Sequence, residues 1–103
     1  MDSLAKILRP FNVLARMKWS GDPDPSGWGG PLFSPVPGYL EGCGGPFSTR
    51  EIEWIEAQAI EHKHFGRLVP DKQIDHSQAI SEALAQGGFK FILHQGIFHI
   101  SAA

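Results

Sequence analysis

Between Ser20 and Phe47, 14 of 28 residues are glycine or proline. Proline fixes φ and has no N–H, and glycine gives up the most backbone entropy on folding. No long helix or strand can run through such a stretch. Inside it the phrase G-W-G-G-P (27–31) recurs as G-C-G-G-P (42–46), each copy running on into Phe-Ser. A flexible linker would be polar, yet this one carries Trp28, Leu32, Phe33, Val36, Tyr39, Leu40 and Phe47. Aromatic and aliphatic side chains in irregular backbone point to a loop packed on a core or to a binding surface. The expected organisation is one domain over 1–103. It has an N-terminal helix (1–19), a long Gly/Pro-rich packed loop (20–47) and a strand–helix–hairpin core (48–103).

A chain of 103 residues, 42% hydrophobic and 19% charged, can bury a core without disulfide staples. Its formal charge of −2 offers no field to hold a phosphate backbone, so nucleic acid is not the expected ligand. Cys43 is the single cysteine, which excludes an internal disulfide and suits a reducing compartment. No apolar run approaches the roughly 20 residues that span a bilayer, and no leader pattern opens the chain. A cytoplasmic, membrane-free protein is the expectation.

Residues 2–19 read as helix, because Leu4, Ile7, Leu8, Phe11, Leu14 and Ala15 recur at the 3.6-residue period. Pro10 interrupts this pattern, so the helix either kinks there or has its stable part beyond it. Lys6, Arg9, Arg16 and Lys18 would form its solvated basic face. Residues 47–64 fit two templates. Ser48 and Glu51 have capping-box spacing, with Ile52, Ile55 and Ala59 on one helical face. Alternatively, Ile52 and Trp54 alternate with Glu51 and Glu53 as in a half-buried strand. Asp75 or Ser77 can cap a helix running to about Gln86, with Ala79, Ile80, Ala83 and Leu84 inward and Gly87 as its stop. FKFILHQGIFHIS then reads as a hairpin turning at Gln95-Gly96. That register puts Phe89, Phe91, Leu93, Phe98 and Ile100 on one face, and Lys90, Ile92, His94, Ile97, His99 and Ser101 on the other.

The segments I-E-W-I (52–55), H-x-G-R-L-V-P (64–70), I-D (74–75) and G-I-F-x-I (96–100) resemble a bacterial family of small proteins classed as a domain of unknown function. The resemblance implies a strand over 51–58, because relatives carry a proline soon after that stretch. It also implies small cytosolic proteins with varied N-terminal halves, a habit shared with bacterial immunity proteins. The fold expected is α+β: a small, mostly antiparallel sheet, a short extended piece near 67–69, two helices on one face and the packed loop.

Few residues form a chemical motif. Neither glycine repeat has the Lys of a phosphate loop, and each ends in Pro, which has no N–H to offer a phosphate. Cys43 has only Glu41 and glycines beside it in sequence, with no base to make a thiolate. DPDPSG (22–27) opens like a calcium loop, but Phe33 stands where the bidentate Glu belongs. His62 and His64, or His94 and His99, could approach one ion on a strand, yet spacing supplies no third ligand. No metal, cofactor or catalytic set is therefore assigned. Glu51, Glu53, Glu56 and Glu61 surround Trp54 and suggest an acidic patch for a basic partner, with Trp54, Trp28 and Tyr39 as aromatic anchors. The plainer reading of those carboxylates is a solvated edge.

The functional expectation is a protein-binding module, an immunity protein that neutralises a toxin domain, and not an enzyme. The rivals are a small metal-dependent enzyme or metal-binding protein using the histidines, and a homodimer formed through the outer face of the hairpin.

Overall fold

A computed structural model describes residues 2–21, 23–29, 32, 39–40, 47–63 and 72–101. The chain opens with helix α1 (Asp2–Leu8), which turns Leu4, Ala5 and Leu8 inward, one stripe at i and i+4. It does not continue to residue 19. A 3-10 turn at Arg9–Phe11 takes Pro10 into its first turn, and Asn12 then adopts the left-handed conformation (φ 53°) with its N–H on the Arg9 carbonyl. Asparagine is among the few L-residues that tolerate this geometry. Residues beyond it form strand β1 (Ala15–Trp19). The helix expected over 1–19 is thus corrected, and its stable part lies before Pro10. Ala15 and Met17 are buried while Arg16 and Lys18 face out, a period of two, so Ala15 belongs to a strand and not to the helical stripe.

Downstream lie two short strands, β2 (Tyr39–Leu40) and β3 (Phe47–Ser48), paired antiparallel. Strand β4 (Ile52–Gln58) occupies the predicted 51–58 position. A bend at Ala59 leads into β5 (Ile60–Lys63), which pairs antiparallel with β6 (Lys72–Asp75). Helix α2 (Ser77–Gln86) follows, and strands β7 (Phe91–His94) and β8 (Ile97–Ser101) complete the order. The extended piece expected near 67–69 lies outside the described residues.

The main sheet runs β1-β4-β8-β7 and is antiparallel throughout. Its register places Ala15, Ala57, Phe98 and Leu93 in one row and Met17, Ile55, Ile100 and Phe91 in the next, all on one face. Both helices contribute to the same core: Leu4 and Leu8 from α1, Ile80 and Leu84 from α2. This is a two-layer α+β fold with a mostly antiparallel sheet and two helices, the class expected. Of the residues expected inward on α2, Ile80 and Leu84 are buried, whereas Ala79 is exposed and Ala83 half-buried. The N-cap is His76, whose side chain makes no capping bond, rather than Asp75 or Ser77; Asp75, one residue earlier, accepts the Ser77 N–H on its Oδ1 at 2.8 Å. The helix closes at Gly87, which is right-handed (φ −77°), and the left-handed residue that turns the chain is Gly88 (φ +78°). The hairpin turn has Gln95 at φ 50° and Gly96 at φ 77°, the type I′ geometry that matches strand twist.

Leu32, from the Gly/Pro-rich stretch, belongs to this core at 1% exposure. Nearby residues of that stretch line the free edge of β1. Ala15 and Gly29 exchange backbone hydrogen bonds of 2.7 and 2.9 Å, and the Ser26 N–H reaches the Met17 carbonyl at 2.8 Å. Ser26 Oγ in turn accepts the Met17 N–H at 3.0 Å.

Candidate protein-binding face

The sheet's other face carries the chemistry. Cross-strand register aligns Arg16, Glu56, His99 and Ile92 in one row, and Lys18, Trp54 and Ser101 in the next. Trp54 is there because of a bulge. Lys18 opposes Trp54 while Trp19 opposes Ile52, so Glu53 is an extra residue on β4. The insertion shifts the alternation by one. Ile52 and Ile55 are buried, and Trp54 is half-buried on the outer face rather than sharing the inner side with Ile52.

Arg16 and Glu56 meet at the centre. Arg16 Nε donates to Glu56 Oε1 at 2.7 Å, and Nη2 lies 2.6 Å from the same oxygen. Glu56 Oε2 lies 3.3 Å from His99 Nδ1. Burial alone would raise the Glu56 carboxyl, but the hydrogen bonds and positive charge of Arg16 and His99 outweigh it and hold the group below its ordinary value. An aromatic ring stands at each end of this triad. The Arg16 guanidinium lies 4.7 Å from the Trp28 ring centroid, within cation–π range. The rings of Trp54 and His99 are 5.0 Å apart, tilted by 42°. A chain of contacts therefore runs Trp28–Arg16–Glu56–His99–Trp54 across three strands.

The expected acidic patch does not form. Glu53 pairs with Lys18 at 3.1 Å, and Glu51 accepts the Trp19 indole N–H at 2.7 Å. Glu61 is not on the surface at all, being only 7% exposed. Its Oε1 lies 2.9 Å from His76 Nε2, and its Oε2 accepts the Asn12 side-chain N–H at 3.4 Å. Phe11 covers the imidazole, with ring centroids 5.1 Å apart. An interior carboxylate is tolerated only with such partners, and they come from the left-handed Asn12 and the residue preceding α2. Among the described residues, the outer face carries Arg16, Lys18 and Lys90 beside Glu53 and Glu56, so the Glu51–Glu61 run does not form a uniformly acidic surface.

Of the expected site residues, Trp28, Trp54 and Glu56 come together here, with Glu53 at the rim beside Lys18. Glu51 is exposed beyond the end of β4, and Glu61 lies elsewhere, in the interior. The Tyr39 side chain lies outside the described residues, as do Cys43, His64 and the Asp22 and Phe33 positions of the calcium-like loop. Among the described residues no three His, Cys, Asp or Glu side chains gather to hold a metal ion. Sequence reasoning missed Arg16, Lys18 and His99. The alternation in A-R-M-K-W was the available signal for the first two. Among the described residues, no helix is long and apolar enough to cross a membrane.

Comparison with known proteins yields no match among curated sequences or solved structures. A family model does match, over residues 38–102, which is more than half the chain. The strands that carry Trp54, Glu56 and His99 lie within that region, and the protein belongs to the family of unknown function DUF6678.

Proposed function

We propose that this protein is a protein-binding module that meets its partner through the outer face of the β1-β4-β8-β7 sheet. One observation carries the reading: the row Trp28–Arg16–Glu56–His99–Trp54, in which each side chain holds the next. Tryptophan and arginine are the side chains that most often dominate binding energy. Here Arg16 and Trp54 stand on β1 and β4, and Trp28 on the segment hydrogen-bonded to β1, each against a neighbouring side chain, so docking costs less side-chain entropy. The alternating charges fix orientation more than they add affinity.

The face is composite. Arg16, Lys18 and Trp28 precede the region matched by the family model, whereas Trp54, Glu56 and His99 lie inside it. In its narrower form the partner is a toxin domain neutralised by direct binding, which is an immunity role.

Affinity capture from cells that encode the protein tests the general form. The expected result is a specific partner retained by the native chain and by Gln86→Ala, on the far helix. Trp28→Ala and Trp54→Ala should each weaken that complex by more than about 2 kcal/mol, the usual hot-spot threshold. No partner, or a partner indifferent to both tryptophans, sinks the reading. Co-expression that rescues growth from the captured partner's toxicity tests the immunity form.

A further inference from the structure

Among the described residues strand β7 ends the main sheet, and we propose that this edge pairs with β7 of a second copy in a two-fold antiparallel homodimer. Three large apolar side chains are exposed among the described residues, and two of them are neighbours on this strand: Ile92 at 68% and Leu93 at 41%. Edge strands normally blunt themselves with charges, proline or a bulge. F-I-L-H has none of these at its centre.

The backbone says what fits the edge. His94 and Ile97 close the two-residue turn and so form a hydrogen-bonded pair, and antiparallel pairs alternate in type. Ile92 and His99 are then also bonded. The Ser101 N–H on the Lys90 carbonyl, at 3.0 Å, is the next rung of the same ladder. Phe91 and Leu93 sit at the intervening non-bonded positions, so their N–H and C=O groups point away from β8, out of the sheet edge. Two outward residues with one between them are self-complementary. When Phe91 of each copy pairs with Leu93 of the other, four backbone hydrogen bonds form and the two-fold axis passes between the two Ile92 residues. That central pair is of the close, non-bonded type, so the two exposed isoleucines meet face to face. On the opposite side Phe91 and Leu93 extend each copy's inner apolar face into the other. The product is one continuous eight-stranded sheet carrying two copies of the Trp28–Trp54 row. A partner with repeated sites would gain avidity from that arrangement.

A four-residue strand buries less than the roughly 1,000 Å² of a tight interface, so the dimer is a weak one. Sedimentation equilibrium of the full chain at about 10–500 μM reads it directly, since short interfaces bind in that range. The expected mass rises from 11.3 kDa towards twice that value. Ile92→Lys places two ammonium groups across the axis and should weaken association at least about tenfold, with an unchanged circular dichroism spectrum because the residue is exposed. In a Cys43→Ser background, Ile92→Cys should oxidise to a 92–92 disulfide, because a non-bonded pair sets the Cα atoms about 4.5 Å apart, within disulfide reach. A chain that stays monomeric at every concentration overturns the proposal, as does a dimer indifferent to Ile92→Lys. Should Ile92→Lys unfold, absence of the 92–92 linkage is decisive against it.

Discussion

Replacing Glu61 by alanine tests whether this residue is an internal strut rather than part of a charged surface. The substitution removes the acceptor for His76 Nε2 at 2.9 Å and for the Asn12 amide at 3.4 Å. Leaving a buried donor without a partner costs about 1–3 kcal/mol. The longer Asn12 contact contributes less, and the His76 side chain is 20% exposed, so water recovers part of the loss. A net destabilisation of about 2 kcal/mol is expected. A 100-residue domain of ordinary stability holds about 5–15 kcal/mol, and each kcal/mol moves its melting temperature by about 4–8 °C. The native and Glu61→Ala chains should therefore differ by about 8–16 °C in a thermal melt. Urea titration gives the free energy directly, provided the m-value is unchanged.

The control is Glu53→Ala. That carboxylate is 50% exposed and pairs with Lys18 at the sheet's rim, where an ion pair is worth about 0–1 kcal/mol. A double-mutant cycle of Glu61→Ala with His76→Ala should return a coupling of at least about 0.5 kcal/mol, as expected for residues in contact. If Glu61→Ala proves as mild as Glu53→Ala, or the cycle returns no coupling, the strut reasoning is wrong and the interior position of Glu61 with it.

Three further outcomes follow from the same geometry. Glu56 titrates below its ordinary value of 4.5 in the folded chain. Its stabilising contribution is thus fully present above that value and is lost as pH falls through the lower folded pKa; Glu56→Gln should flatten the dependence of urea midpoint on pH below 4.5, and an unchanged slope would count against the Arg16–Glu56–His99 arrangement. Gln95 holds φ at 50° where glycine would be unstrained, so Gln95→Gly should raise stability by about 1 kcal/mol in a urea titration, and a loss would contradict the type I′ turn. Phe98 is fully buried at the centre of the inner face and meets Phe91 edge-on at 5.6 Å; Phe98→Ala should cost about 3–5 kcal/mol by chemical denaturation, and a cost below 1 kcal/mol would mean the sheet packs differently.

The hairpin was legible in the sequence because two independent signals agree there: a Gly at the turn, and a register that makes one face wholly apolar. Helix α2 was legible for a similar reason, with Asp75 before it and Ile80 and Leu84 one turn apart. The first nineteen residues were not. Ala15 and Met17 alternate with charged residues as a strand requires, but Leu14 and Ala15 also extend the helical stripe of α1, and a short window cannot separate the two periods. Pro10 and Asn12 decide between them, and the left-handed backbone of Asn12 leaves no periodic trace. Trp54 escaped for a comparable reason, since a single bulge at Glu53 inverts the side on which the next residue falls. Which charges share the outer face was beyond local reading altogether. It depends on Arg16 and Lys18 arriving from a strand about 40 residues earlier.

That long-range pairing also gives the described part of the Gly/Pro-rich stretch a structural role. β1 has β4 on one side and needs something to satisfy its other edge, because an unpaired row of N–H and C=O groups invites aggregation. A regular strand would have widened the sheet and set a full row of side chains beside Arg16. Instead Ser26 and Gly29 reach β1 at isolated points, and between them Trp28 comes to lie against the guanidinium. Leu32 then drops into the core and ties the segment down. One edge of the sheet is closed by irregular backbone that contributes an aromatic to the outer face, while among the described residues β7 at the opposite edge keeps outward hydrogen-bonding groups and exposed Ile92. The asymmetry leaves the sheet one direction in which to grow by pairing, and growth there leaves the Trp28–Trp54 row of each copy uncovered.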